Sequence, residues 1–182
     1  MFTALILFLG FTGIMAQKKG VTEVNVPDFP MTDNKVVYAE VVEADGNANE
    51  LYNKAVDWFE AYYKNASSVI RSKEEGESVT GKGKFRIYDV SEKDGTRTPN
   101  NGMMMYDIKI ETKEGRYRYE ISNITQKASS YIGIEKWIDE NKESQRFLTA
   151  NYLEQTNQQI NEVIGRLKVY MAKDHASKSE EW

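Results

Sequence analysis

Between Met103 and Thr125 the chain alternates apolar and polar side chains. Met104, Tyr106, Ile108 and Ile110 fall on one parity, Asp107, Lys109 and Glu111 on the other. Glu114-Gly115 turns the chain, and Arg116 to Thr125 alternates again, with Tyr117, Tyr119 and Ile121 against Arg118, Glu120 and Ser122. Successive side chains of a strand point to opposite faces, so this is an antiparallel hairpin with one apolar and one wet face. Its apolar face has to be buried against another layer of the fold.

The cover lies upstream. In Asn47 to Ala66, Leu51, Ala55, Trp58, Phe59, Tyr62 and Ala66 recur at helical spacing and make one apolar stripe. Asn47 is placed to cap the first turn, and Glu50, three residues on, to reach back as in a capping box. Strand-like segments flank this helix. Lys35 to Glu43 is rich in β-branched residues and reads as the first strand, and Ser67 to Lys73 as a short one. Glu77 to Val90 reads as a longer strand, with Phe85 and Ile87 on one face and Lys84 and Arg86 on the other. Glu92 to Gly102 is a loop by composition.

After Thr125 the period becomes helical. Ile134, Trp137 and Ile138 make a short amphipathic helix, and Ser144 to about Lys173 a long one. Leu153, Thr156, Ile160, Val163, Leu167 and Tyr170 form its stripe. Such a helix is about 45 Å long, against about 33 Å for a ten-residue strand. It is therefore expected to overhang the sheet or to break near Asn157 to Asn161. The fold class is α+β: an antiparallel sheet of four to five strands in β-α-β-β-β-β order, covered by the helix at 47–66 and followed by a short and a long C-terminal helix.

Met1 to Ala16 is almost wholly apolar, carries no charge, and is shorter than the roughly 20 residues that cross a membrane as a helix. Followed by Gln17-Lys18-Lys19, it reads as a secretory signal peptide. The other reading is a buried or anchoring N-terminal helix. The expected organisation is a signal peptide at 1–16, an extended lead-in at 17–34, an α+β domain at 35–125 and a helical region at 126–182. The lead-in is expected to be ordered where Val24, Val26 or Phe29 meets the core. The expected location is exported: periplasmic, cell-envelope or secreted.

Several chemistries are excluded or disfavoured. The chain has 182 residues, a net charge of −4, no cysteine and one histidine. No disulfide framework, thiolate nucleophile or cysteine-based metal site is possible. A single histidine, His175, rules out a two-histidine metal site and sits in a polar tail, away from any triad. Gly76 to Lys82 matches the phosphate-loop spacing, but Gly83 follows where Ser or Thr would hold magnesium, and a strand follows where a helix must open. Gly81 and Gly83 are read instead as a sheet bend or bulge. From Glu77 to Glu120 there are nine Lys or Arg and eight Asp or Glu, read as cross-strand pairs on a solvated face rather than a phosphate track. Met103-Met104-Met105 is a soft apolar cluster, read as core packing or edge cover. Asn65-Ala66-Ser67 and Asn123-Ile124-Thr125 are glycosylation sequons, relevant only where the source cell glycosylates.

The signal-like start, KVVYAEVVEADG, the helix ELYNKAVDWFEAYYKNA, the short VI, the strand GKGKF and the hairpin YDIKIETKEGRYRYEISNIT together resemble an exported bacterial domain, the domain of unknown function 4468. The resemblance covers Asp33 to Thr125. It implies a TATA-binding-protein-like (TBP-like) fold in β-α-β-β-β-β order with helices after it. It carries no known activity and no functional residues. The fold name does not imply DNA binding, which needs a basic concave face with apolar wedges.

The function expected from the residues is a non-enzymatic cell-envelope or secreted interaction module, with an unknown protein partner. The alternative is a carrier of a small apolar ligand or lipid, held between the sheet and the C-terminal helix. For it, Tyr106, Tyr117, Tyr119, Ile160 and Leu167 are the candidate lining. No catalytic, cofactor or metal residue is assigned. No nucleic-acid partner is expected, nor membrane integration after signal cleavage.

Overall fold

The computed structural model describes residues 26–144 and 146–173. The signal segment, its cleavage boundary, Val24 and the His175 tail lie outside the described residues.

Strands β1 (Met31–Thr32) and β2 (Lys35–Val36) form a small hairpin, and β3 (Tyr38–Glu43) follows at once. The expected first strand is thus split at Val37, whose N–H donates to Pro30 instead. Helix α1 (Ala48–Tyr62) and one turn of helix, α2 (Ala66–Val69), lead to β4 (Ile70–Glu74), so part of the expected short strand is helical. Then come β5 (Ser78–Val90), β6 (Arg97–Lys113), β7 (Arg116–Lys127), β8 (Tyr131–Gly133), α3 (Ile134–Ser144) and α4 (Phe147–Met171).

The sheet runs β3-β7-β6-β5-β4 with every pair antiparallel, and β8 adds a short sixth strand beside β7. β3 and β4 are opposite edges, so α1 carries the chain from one edge to the other. Its capping box forms as expected: Glu50 N–H donates to Asn47 Oδ1 at 3.1 Å, and Asn47 N–H to Glu50 Oε2 at 2.8 Å. Leu51, Ala55, Trp58 and Phe59 bury the helix on the sheet, and Tyr52 is buried with them. Val26 and Phe29 of the lead-in also pack against the core.

Two departures have clear causes. β6 begins at Arg97, inside the expected loop. Pro99 lies opposite Tyr88, and the next pair is Arg86 with Met103, so 100–102 bulge out of the ladder. Turn-type residues thus occupy a bulge inside a strand. The second departure is α4, which neither breaks nor overhangs. It crosses the sheet diagonally: Gln155 bonds Tyr88 on β5, and Lys168 bonds Glu40 on edge strand β3. A diagonal is longer than a strand, so this 25-residue helix, about 37 Å long, keeps buried positions along it from Ala150 to Met171. The asparagines that suggested a break bond each other, Asn161 Nδ2 to Asn157 Oδ1 at 2.9 Å, and Tyr38 Oη donates to Asn157.

Gly81 and Gly83 serve contact rather than bending. A Cβ on Gly81 would meet Phe59 at 2.4 Å, and one on Gly83 would meet the Tyr106 ring at 2.1 Å. The bulge nearby is in β4, between Ile70 and Ser72. Ser78 already belongs to β5, so the phosphate-loop spacing falls on a turn and a strand.

Candidate binding surface

The five residues expected to line a ligand cavity are core. Tyr106, Tyr117, Tyr119, Ile160 and Leu167 are at most 4% exposed and share one apolar cluster with both helices. Tyr106 Oη and Tyr63 Oη bond each other at 2.9 Å. Burial and the Tyr63 phenol hold the Tyr106 phenol far above its ordinary range. Tyr119 donates to Glu40 Oε2 at 2.8 Å, and burial first, then that carboxylate, raises its pKa. Burial pushes Tyr117 up to about 12. All are neutral phenols at neutral pH. Tyr117 Oη and Trp58 Nε1 are buried without a protein partner.

A polar cluster sits beneath the start of α4. Tyr152 donates to Asp89, and Asn100 Nδ2 donates to Asp89 at 2.6 Å and to Tyr152 Oη at 3.0 Å. Gln126 Nε2 and Gly102 N–H both donate to Asn100 Oδ1. These bonds tie the β6 bulge to α4. The Tyr152 phenol is raised by burial and by Asp89, so it holds its proton rather than offering an oxyanion. Among the described residues no group of three His, Cys, Asp or Glu is placed to hold a metal ion. A pocket of about 450 Å³ lies near α3, lined by Lys35, Gly133, Glu135, Lys136, Asp139 and Glu140; it is polar and open.

The outer face of the sheet, opposite the helices, divides into two parts. Toward the β6–β7 turn its charges are paired. Glu111 accepts from Lys109 Nζ at 2.8 Å and from Arg118 Nη1 at 2.9 Å, and Arg118 Nη2 reaches Glu120 at 2.7 Å. Lys82 pairs with Asp107 at 3.1 Å. The Lys109 and Arg118 bonds hold the Glu111 carboxyl below its ordinary range. Here the cross-strand pairing expected from the sequence is present.

The other end differs. One row across the sheet is Lys84, Met105, Thr125 and Gly133; the next is Arg86, Met103, Lys127 and Tyr131. Neither row holds an acid. Lys84 and Arg86 are exposed and make no ion pair among the described residues. Lys127 Nζ lies 5.6 Å from the centroid of the Tyr131 ring, which is 64% exposed. Beyond these rows Arg97 covers the Tyr88 ring at 5.1 Å. Met104 is core, whereas Met103 and Met105 are partly exposed on this face. The Met cluster is therefore split between core and surface by strand parity.

Asn123 decides that layout. It takes a left-handed conformation, φ 52°, and shifts the β6–β7 register. Ile121 and Ile124 both face the core as a result, and Thr125 and Lys127 face outward. Asparagine tolerates this conformation better than most residues. Its Nδ2 also donates to Asp107 at 2.8 Å. The composition of the whole segment had hidden the division, because nine bases and eight acids average to balance.

Among the described residues no helix is long and apolar enough to cross a membrane. None of the curated proteins matches the sequence. The fold is similar to that of a DUF4468 family protein from Bacteroides ovatus, with a TM-score of 0.64 and 18% identity, covering 80% of this chain and 91% of that one. It is also similar to a TBP-like protein from Parabacteroides distasonis, with a TM-score of 0.55 and 16% identity, covering 76% and 96%. At such identities the likeness concerns the fold alone. The family model described as a domain of unknown function with TBP-like fold, DUF4468, matches residues 38–127. Residues 38–127 are thus a DUF4468 domain with a TBP-like fold.

Proposed function

We propose that this protein is an exported, non-enzymatic interaction module of the cell envelope or the secreted fraction, and that it works through the outer face of its sheet. One observation carries the reading. The inner face is packed under α1 and α4, while the outer face carries partly exposed methionines and cations that make no ion pair among the described residues. Large or charged groups left without a partner on a rigid sheet are suited to a second molecule. Export is motivated by the apolar, charge-free Met1 to Ala16. The core positions of Tyr106, Tyr117, Tyr119, Ile160 and Leu167 favour this reading over the carrier, since a ligand there would have to displace packed side chains.

Fractionation and cross-linking test both halves. The protein is expected in the envelope or medium without residues 1–16. Uncleaved chain in the cytosolic fraction would remove the export claim. A photo-reactive amino acid at Met105 is expected to give a discrete protein adduct in the native cell, and one at the exposed Val169 of α4 is not. Equal labelling at both positions would refute the outer face as the working surface.

A further inference from the structure

We infer that the basic end of the outer face, whose cations make no ion pair among the described residues, binds an extended acidic peptide segment of a protein partner, one with a carboxylate at every second position. This rests on the outer-face reading above and adds the chemistry of the partner. Lys84 and Arg86 alternate on one strand, so their side chains stand about 7 Å apart. Same-side side chains of an extended peptide repeat at that same distance. Two acidic residues at i and i+2 can thus meet both cations at once. Lys127 lies two strands across from Arg86, about 10 Å away, within reach of a third carboxylate.

Between these cations lie Met103 and Met105. Thioethers are soft, adaptable contacts for apolar side chains. They give a floor for the methylene groups of the acidic side chains themselves, and Tyr131 and Tyr88 bound it at the margins, each with a cation at its ring. A phosphate polymer fits this surface less well. Its charge density far exceeds three cations spread 7 to 10 Å apart (about one charge per 1.7 Å of duplex axis), and it leaves the thioethers wet. The net charge of −4 does not prevent acidic binding, because at physiological salt only charges within about 8 Å act strongly.

The test uses the full-length chain and a fluorescein-labelled ten-residue peptide of alternating Glu and Leu, read by fluorescence anisotropy. The peptide is expected to bind at least tenfold more tightly than its Lys-Leu counterpart. Lys84→Glu with Arg86→Glu is expected to weaken it at least tenfold, and Arg71→Glu on exposed β4 to leave it unchanged. Should the charge reversal unfold the protein, Lys84→Gln with Arg86→Gln keeps the comparison and is expected to weaken binding severalfold. NMR shifts are expected at the Met103 and Met105 methyls.

The inference is overturned by no binding at millimolar protein, or by binding that ignores the reversal. It is equally overturned by tighter capture of phosphatidylglycerol vesicles or an oligothymidine strand through the same residues. A Met105 adduct that persists in the reversed variant would leave the outer-face reading standing and remove only the acidic partner.

Discussion

The ring of Tyr106 lies against Gly83, leaving no room for a Cβ between strand and ring. The same ring meets Phe85 at 6.0 Å and bonds Tyr63 through its hydroxyl, so it cannot swing away without breaking other contacts. Gly83→Ala is therefore overpacked. It should cost about 1–3 kcal/mol, lowering the melting temperature by roughly 2–10 °C for a chain of this size.

Gly165 gives the opposite sign. It sits in α4, and an added Cβ would meet nothing within 4 Å. Gly165→Ala should stabilise by about 0.5–1 kcal/mol by removing backbone freedom from the unfolded chain. Thermal melts of the two glycine variants, followed by circular dichroism, should move in opposite directions.

Glu111 predicts a pH dependence. Its folded pKa is depressed, first by Lys109 and then by Arg118. A depressed carboxylate contributes stability above its unfolded pKa, about 4.3, and that contribution is lost as pH falls through the folded value. The pairs are partly solvated, so each is worth only about 0.2–1 kcal/mol. Urea midpoints of wild type and Glu111→Gln should differ slightly at pH 7 and converge as the pH drops below the ordinary carboxylate range. Added 1 M salt at pH 7 should narrow the gap too.

The side-chain amide of Gln155 pairs with the backbone of Tyr88 in both directions. Its Oε1 accepts the Tyr88 N–H at 2.9 Å, and its Nε2 donates to the Tyr88 carbonyl at 2.9 Å. It stands in for a neighbouring strand at a point where β4 has already ended. Gln155→Ala should speed hydrogen exchange at the Tyr88 amide about tenfold, which corresponds to a local loss of about 1.4 kcal/mol. Gln155→Glu keeps the acceptor but loses the donor, and should fall between the two.

Ile160→Ala separates a packed core from a ligand chamber. Ile160 is fully buried. As a core residue its truncation should cost about 2–5 kcal/mol by urea unfolding. Near-neutral behaviour would mean that its contacts are with something other than protein.

Local signals were the legible ones. The capping box needs only Asn47 and Glu50, and the hairpin needs only alternation about Gly115, so both are written in short stretches. Strand β8 and the start of β6 were not legible. Thr98-Pro99-Asn100-Asn101-Gly102 has turn chemistry, yet Thr98 and Pro99 pair with β5 and 100–102 form the bulge before pairing resumes at Met103. The candidate surface was the least visible part. Lys84 and Arg86 looked like any solvated pair of bases, and only the register shift at Asn123 sets Lys127 beside Met103. Which charge meets which is a property of rows, and rows are set by partners distant in sequence.

The strand that opens the domain is among the last to be held. Tyr38 pairs with Ile121 and Glu43 with Arg116, while β4 to β7 pair with close neighbours. During synthesis β3 has no mate until most of the domain has been made. Closing so long a loop makes its docking a late step of folding, and the meander of β4 to β7 the natural nucleus. Until β7 arrives, one long side of the sheet stays an open template, which makes the interval before β3 docks the period of greatest exposure to aggregation and proteolysis.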